Sequence, residues 1–234
     1  AQGVRKGDKI LLQSRNNLPM FESCWAAFRL GCVWVPTNFR LTPPEVAYLG
    51  ASSGASVMIC ESAFPEHVAA VRDAVGPHVR VRIDANGRWD TETAQRRLAL
   101  MAPYDIECAE QPAPTIEDLA FLRRHTDIPI VADECIRSEA DCDRLRALDA
   151  ADAIALKVQA CGGVHAALRW ADRAGVPVIV TSMLETSIGL AAGVALAAAL
   201  PELPFACGLG TGALLARDVT PDPLVAVDGV LAVR

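Results

Sequence analysis

Four polar residues recur along this chain at nearly constant spacing, and that rhythm restricts the fold more than any other feature. Asp84 ends the run VRVRID, Glu110 ends DIECAE, Asp133 ends PIVAD and Lys157 ends AIALK. The steps between them are 26, 23 and 24 residues. Each step is about the length of one strand, one crossover helix and their loops. In a parallel barrel, successive strand ends meet on one rim, the C-terminal face where barrel enzymes keep their chemistry. Three carboxylates and an ammonium would therefore converge although they span 74 residues. Three hard oxygen ligands suit a divalent ion such as Mg²⁺, with Mn²⁺ as a substitute. A lysine beside them can move a proton or stabilise an enolate.

The chain has 234 residues, enough for one large domain or two small ones. It is 52% apolar and 21% charged, so a large core is available. The formal net charge is −6 and no basic stripe is visible, which argues against nucleic acid as a partner. The longest apolar stretch, Ile188–Leu200, is too short and alanine-rich for a membrane span and reads as a buried helix. The opening AQGVRKGDK is not a signal peptide, and without an initiator Met the chain reads as a fragment. Eight cysteines form no CxxC and have no accompanying histidine pair, which speaks against zinc. They are too sparse for a disulfide scaffold and fit a reducing cytoplasm. Nothing in the sequence fixes an oligomeric state.

From Val79 onward, strand and helix patterns alternate without exception. Strand-like runs are Val79–Ala85, Ile106–Glu110, Ile130–Asp133, Ala153–Val158, Val176–Thr181 and Phe205–Gly208. Helices are predicted at Thr91–Met101, Thr115–His125, Ser138–Leu148, Gly163–Ala174 and Ser187–Leu200. TIED at 115–118 is a capping-type start. This is an α/β pattern with a parallel sheet, supplying six βα units of the eight in a barrel. Residues 1–66 are also α/β, with strands Lys9–Gln13, Val33–Pro36 and Ser56–Cys60, each followed by a helix. Their strand ends carry Ser14, Asn16, Thr37, Asn38 and Glu61 and do not continue the ladder.

The motifs DANGRWD (84–90), EQP (110–112), ADE (132–134), LKVQACGGV (156–164) and TSMLETSIGLAAGVALAAALP (181–201) resemble the enolase superfamily. Within it the likeness is to the o-succinylbenzoate synthases of menaquinone biosynthesis, over about Val68 to Val219. The resemblance implies Mg²⁺ held by Asp84, Glu110 and Asp133, and Lys157 as the lysine opposite the base. It places the Ser182–Ser187 loop near a small-molecule carboxylate substrate. The implied reaction is loss of water from a cyclohexadiene carboxylate through a metal-stabilised enediolate. Related enzymes use the same residues for N-acylamino acid racemisation or dipeptide epimerisation.

The first 66 residues resemble something else. GVRKGDKILL, NNLPMFESCWAAFRLGCVWVPTNFRLTPPEVAYL and SSGASVMICES look like the start of an adenylate-forming acyl-CoA ligase. The phosphate loop and later motifs of such an enzyme do not follow, so ligase activity is not expected. The division falls at about residue 66, with the enolase-type part running over 67–234. A fusion of neighbouring pathway genes, a deletion product and an artificial recombinant would all give this arrangement.

The superfamily branch also carries a Lys-x-Lys base on the second barrel strand. The corresponding window here is SVMIC (56–60), and the chain's only lysines are Lys6, Lys9 and Lys157. The usual capping domain is absent too. Weak or absent lyase activity is therefore expected, and a non-catalytic chimera or pseudoenzyme is the alternative. One structural expectation follows from counting. The units starting at Val33 and Ser56 would close a (βα)8-type barrel as surrogate strands, leaving Lys9–Leu30 outside.

Asn86 is either a turn residue or a site residue. Gly162 and Gly163 allow the turn into the next helix and line the substrate side. Ser182, Glu185 and Thr186 belong to the substrate loop, with Glu185 doubling as a helix cap. Glu134 follows Asp133 on a strand, points away from it, and supports the ligands from behind. CGLGTG (207–212) reads as a rim loop rather than a nucleotide fingerprint. His67, His78, His125 and His165 are assigned to solvated faces. Asn16, Asn17 and Asn38 are read as turn formers, and Trp25, Phe28 and Trp34 as core.

Overall fold

The computed structural model of the chain describes residues 6–14, 18–29, 31–38, 40–55, 57–60, 67–77, 80–227 and 229–233. The candidates Asn16, Asn17, Glu61 and His78 lie outside the described residues. Eight strands and nine helices are assigned among those described, and all strand ladders are parallel.

The front of the chain runs β1 (Lys9–Gln13), α1 (Leu18–Arg29), β2 (Val33–Pro36), α2 (Pro43–Ser53), β3 (Val57–Cys60) and α3 (His67–Val75). Its strands form a separate sheet in the order β2-β1-β3. Barrel closure by these units does not occur: among the described residues no ladder joins β3 to the following strand. The segment expected outside, β1, is the centre of this sheet instead. The reason lies in its composition. Ile10, Leu11 and Leu12 are 5%, 1% and 2% exposed, so β1 needs cover on both faces. Ala27 and Cys32 cover one face at Ile10, and Val46 covers the other at Leu11.

The second part runs β4 (Val81–Asp84), α4 (Thr91–Met101), β5 (Ile106–Glu110), α5 (Ile116–Arg123), β6 (Ile130–Ala132), α6 (Glu139–Leu148) and β7 (Ala153–Lys157). It continues with α7 (Val158–Cys161), α8 (Val164–Ala174), β8 (Val178–Thr181) and α9 (Ser187–Ala199). The strands lie in sequence order, β4-β5-β6-β7-β8, as a curled parallel half-barrel. The sixth expected strand, Phe205–Gly208, shrinks to one bridge between Gly208 and Thr181.

Helix starts follow the sequence signals. Thr115 accepts from the Asp118 backbone N–H, and its own hydroxyl donates back to the Asp118 carboxylate at 2.6 Å. Ser138 accepts from the Asp141 N–H in the same manner, and Asp90 caps α4 through the Thr93 N–H. Between sheet and helices lies the main core, including Leu98, Leu119, Ile130, Ile154, Leu156 and Leu190.

The inner face of the curled sheet holds a smaller cluster of Cys108, Val131, Ala153, Ala155 and Ile179, with Phe205 against it. Arg82 spans the opening. It pairs with Glu107, donates to the Ala206 carbonyl at 3.0 Å and stands over the Phe205 ring. One guanidinium thus ties the β4 edge to the segment beyond β8. Arg72 of α3 donates to the carbonyls of Tyr104 and Asp105, joining the front to the half-barrel.

Three side-chain expectations are corrected. Trp25 and Phe28 are 57% and 55% exposed on α1, stacked edge-to-face rather than buried, whereas Trp34 packs on the Ile10 cluster. His67 is not on a solvated face. It is 2% exposed, within 3.2 Å of Gln13 and 3.1 Å of the Leu41 carbonyl. His125 and His165 are exposed as expected, and Asn38 accepts from the Arg40 N–H in a turn. No helix among the described residues is long and apolar enough to cross a membrane.

Candidate active site

Side chains alternate between the two faces of a strand. Residues two after the inner-face cluster therefore share that face at the C-terminal rim. Cys108 leads to Glu110, Val131 to Asp133, Ala155 to Lys157 and Ile179 to Thr181. Asp84 stands in register with Glu110, and Lys157 with Thr181. The ladder read from the sequence is thus one row along the rim of four adjacent strands, β4 to β7, and Thr181 of β8 stands beside its Lys157 end.

The row is electrostatically strained. Burial pushes the Glu110 carboxyl up to about 8, and the neighbouring charges of Asp84 and Asp133 push in the same direction. Asp84 is raised as well, by desolvation first and by the charges of Glu134 and Asp133 after it, against the hydrogen bonds from Asn86, although it keeps solvent access at the rim. Lys157 Nζ is hydrogen-bonded to Asp133 Oδ2, with the two side chains 24% and 12% exposed. One ammonium therefore sits among three acidic groups, and burial first and the neighbouring carboxylates second favour the protonated form of Glu110.

Asn86 is a turn residue that also touches the row. Its φ is +46°, a left-handed turn conformation. Its backbone N–H and its side-chain amide each donate to Asp84 at 2.8 Å. The same amide reaches Glu134 Oε1 at 3.2 Å. Glu134 does not point away: β6 ends at Ala132, so strand alternation no longer governs it, and it turns toward Asp84 through Asn86.

Gln111 is the residue that sequence reasoning missed. It is fully buried, with φ of +37°. Its side-chain oxygen accepts from the N–H groups of Asp133 (2.7 Å) and Cys135 (3.3 Å), and its amide donates to Ala113 O at 2.7 Å. Its backbone carbonyl accepts from Gly87 N–H. Three strand-to-helix loops meet at this one residue, two through its side chain and one through its backbone carbonyl. The sequence signal was a polar residue directly after a ligand candidate and before a proline. Gln111→Leu leaves two N–H groups without their acceptor, and we expect a loss of about 1–3 kcal/mol in urea denaturation. An unchanged midpoint would show that the lacing holds nothing.

Gly162 and Gly163 adopt φ of +85° and +123°, and neither would meet an atom if given a Cβ. Their requirement is conformational: they turn the chain from α7 into α8. Ser182 Oγ is engaged with Gly208 O and Thr211 Oγ1, tying the substrate-loop candidate to the last rim loop. Thr186 is the N-cap residue of α9, without a side-chain cap bond. Glu185 lies against the first turn of that helix. An added Cβ at Gly189 would stand 1.7 Å from its carboxylate. Among the described contacts, Ser182, Glu185 and Thr186 are not joined to the carboxylate row.

Among the described residues, no three of Asp, Glu, His and Cys already surround a common point as metal ligands. Asp133 is held by Lys157. The donor set nonetheless fits a hard divalent cation: three carboxyl groups on adjacent strand ends, with repulsion that a cation would relieve.

The family described as enolase C-terminal domain-like matches residues 62–234, and the chain belongs to it. It is 50% identical over 230 residues to the o-succinylbenzoate synthase of Thermobifida fusca, covering 91% of this chain and 72% of that protein. It is 48% identical over 169 residues to that of Mycobacterium tuberculosis, covering 72% of this chain and 51% of that one. The chain thus spans only about half the length of the mycobacterial relative. A muconate lactonizing enzyme from Pseudomonas fluorescens, complexed with muconolactone, superposes with a TM-score of 0.72 at 26% identity, over 99% of this chain and 60% of that one. A dipeptide epimerase from Cytophaga hutchinsonii, complexed with Mg and D-Ala-L-Val, does so at 0.65 and 29% identity, over 75% and 51%.

Proposed function

We propose that this chain carries an o-succinylbenzoate synthase-like lyase site, with Mg²⁺ or Mn²⁺ held by Asp84, Glu110 and Asp133. The observation that carries the reading is the row itself: mutually repelling carboxyl groups and one lysine on adjacent strand ends. The synthase relatives and the Mg-complexed epimerase point the same way. A bound cation would offset the charge of a substrate carboxylate and acidify the adjacent C–H. Lys157 then stands beside that carboxylate, where its ammonium can steady developing negative charge or deliver a proton. Asn86 holds Asp84 in place and Gln111 holds the Asp133 backbone. The loop from Ser182 to Thr186, with Gly162 and Gly163, would bound the substrate.

We further propose that turnover is weak. Beyond Lys157, the chain's lysines are Lys6 and Lys9, both in the front part. Lys9 Nζ donates to Ser53 O at 2.6 Å. A positioned general base contributes about 10²–10⁴-fold, and its loss would lower the rate by that order. The division near residue 66 and the ligase-like origin of the front belong to the same reading. A non-catalytic chimera is the second reading, favoured by the same lack of a facing lysine.

Calorimetric titration with Mg²⁺, paired with an assay of cyclohexadiene carboxylate dehydration, tests this. Binding and slow dehydration, both lost in Asp84→Ala and Asp133→Ala, are expected. A parent chain that binds Mg²⁺ without dehydration supports the non-catalytic reading, and one that does not bind it removes the metal site.

A further inference from the structure

We infer that the Thr181 hydroxyl is a second station for the Lys157 ammonium, taken up when Asp133 is withdrawn from it. Thr181 ends β8 directly in register with Lys157, on the side of β7 opposite Asp133. Lys157 is thus flanked by two oxygen-bearing neighbours on one rim. It uses one of them, Asp133.

The other is held ready. The Thr181 hydroxyl is buried and has no hydrogen-bond partner among the described residues. Its methyl group packs toward Gly208, 3.1 Å from where a Cβ would stand there, so the hydroxyl lies on another side of the Cβ. A buried hydroxyl without a partner is a costly arrangement, uncommon enough in native structures to call for an explanation, and a donor that reaches it in another state is one. Lysine suits such an exchange. Its ammonium has three donors on a flexible stem, whereas an arginine fork would be fixed to one geometry. Drawing Asp133 onto a cation would strand Lys157 beside an electropositive centre, and Thr181 offers it an acceptor away from that centre. That last step rests on the metal-site reading; the pairing of Lys157 with Thr181 does not.

Thr181 is in this view a positioning residue acting through Lys157. The test is a double-mutant cycle in metal-free protein, using Asp133→Asn and Thr181→Val with thermal denaturation as readout. Thr181→Val alone is expected to leave Tm unchanged or raise it, because it removes an unpartnered hydroxyl. In the Asp133→Asn background, where a neutral amide oxygen holds Lys157 far less strongly than the carboxylate does, the same change should lower Tm by about 2–4 °C. Thr181→Ser, which keeps the oxygen, should restore the Asp133→Asn value. Additive effects, or a Tm loss from Thr181→Val that is the same in both backgrounds, would overturn the proposal. In the parent chain, Thr181→Val should also weaken Mn²⁺ binding several-fold while Thr181→Ser does not. Equal Mn²⁺ affinity for Val and Ser variants counts against it. Failure of the parent itself to bind Mn²⁺ removes the metal reading and leaves the cycle to decide the pairing.

Discussion

Glu110→Gln is expected to reduce divalent-cation affinity by at least about 100-fold, more than the usual cost of losing a residue that merely supports a ligand. The same substitution should change how the metal-free protein responds to pH. In the folded chain the Glu110 carboxyl is raised from its ordinary 4.5 to about 8, by burial first and by Asp84 and Asp133 second. Between those values the folded protein keeps a proton that the unfolded chain has released. Metal-free stability contributed by Glu110 is therefore full below pH 4.5 and is lost as pH rises through about 8. With Gln in place, this decline should flatten. Cation binding runs the other way, since the ligand must be deprotonated. Parent affinity should climb with pH and level off above about 8. Denaturation curves and calorimetric titrations at pH 5, 7 and 9 would show both trends. A parent affinity independent of pH would mean that no proton leaves Glu110 on binding over this range.

Lys157→Met should have the second large effect. It removes the one cation that Asp133 is paired with, while keeping most of the side-chain volume. Cutting one partner from a fully buried pair costs several kcal/mol. Here both side chains retain some solvent access, so a loss of about 2 kcal/mol is the expectation. Lys157 also holds the Glu110 carboxyl down, so its removal should raise that group further. Any dehydration activity should drop by about 10²–10⁴-fold if Lys157 handles the proton or the developing charge. Activity that survives in a folded Met variant would remove Lys157 from the chemistry.

The row of Asp84, Glu110, Asp133 and Lys157 was legible because its information is periodic. A crossover unit has a nearly fixed length, and side-chain alternation fixes which face each strand end presents. Helix starts at Thr115 and Ser138 were legible because their signals are local. The fate of the front strands was not. A strand such as KILLQ states that it needs neighbours but not which ones, and β1 took both β2 and β3 for itself. Glu134 was misplaced because β6 stops at Ala132, a boundary that PIVADE does not mark. Gln111 escaped because its weight comes from a left-handed backbone and from partners 22 and 24 residues away. Trp25 and Phe28 were taken for core on residue type alone, whereas α1 turns its Ala27 inward.

The Arg82 contact across the curled sheet has a mechanical meaning for the chemistry above it. Arg82 lies two residues before Asp84, about 7 Å down the same strand. Five strands fastened only to their neighbours behave like the ribs of a fan, free to spread at the outer ribs. The guanidinium that reaches from β4 to Ala206 and Phe205 acts as a strut between those outer ribs. The width of the rim, from Asp84 on one side to Thr181 on the other, is therefore set below the rim itself. A shorter or longer strut would resize the opening between Asp84 and Thr181, and on the proposed lyase reading the breadth of molecule admitted, without altering any residue of the row.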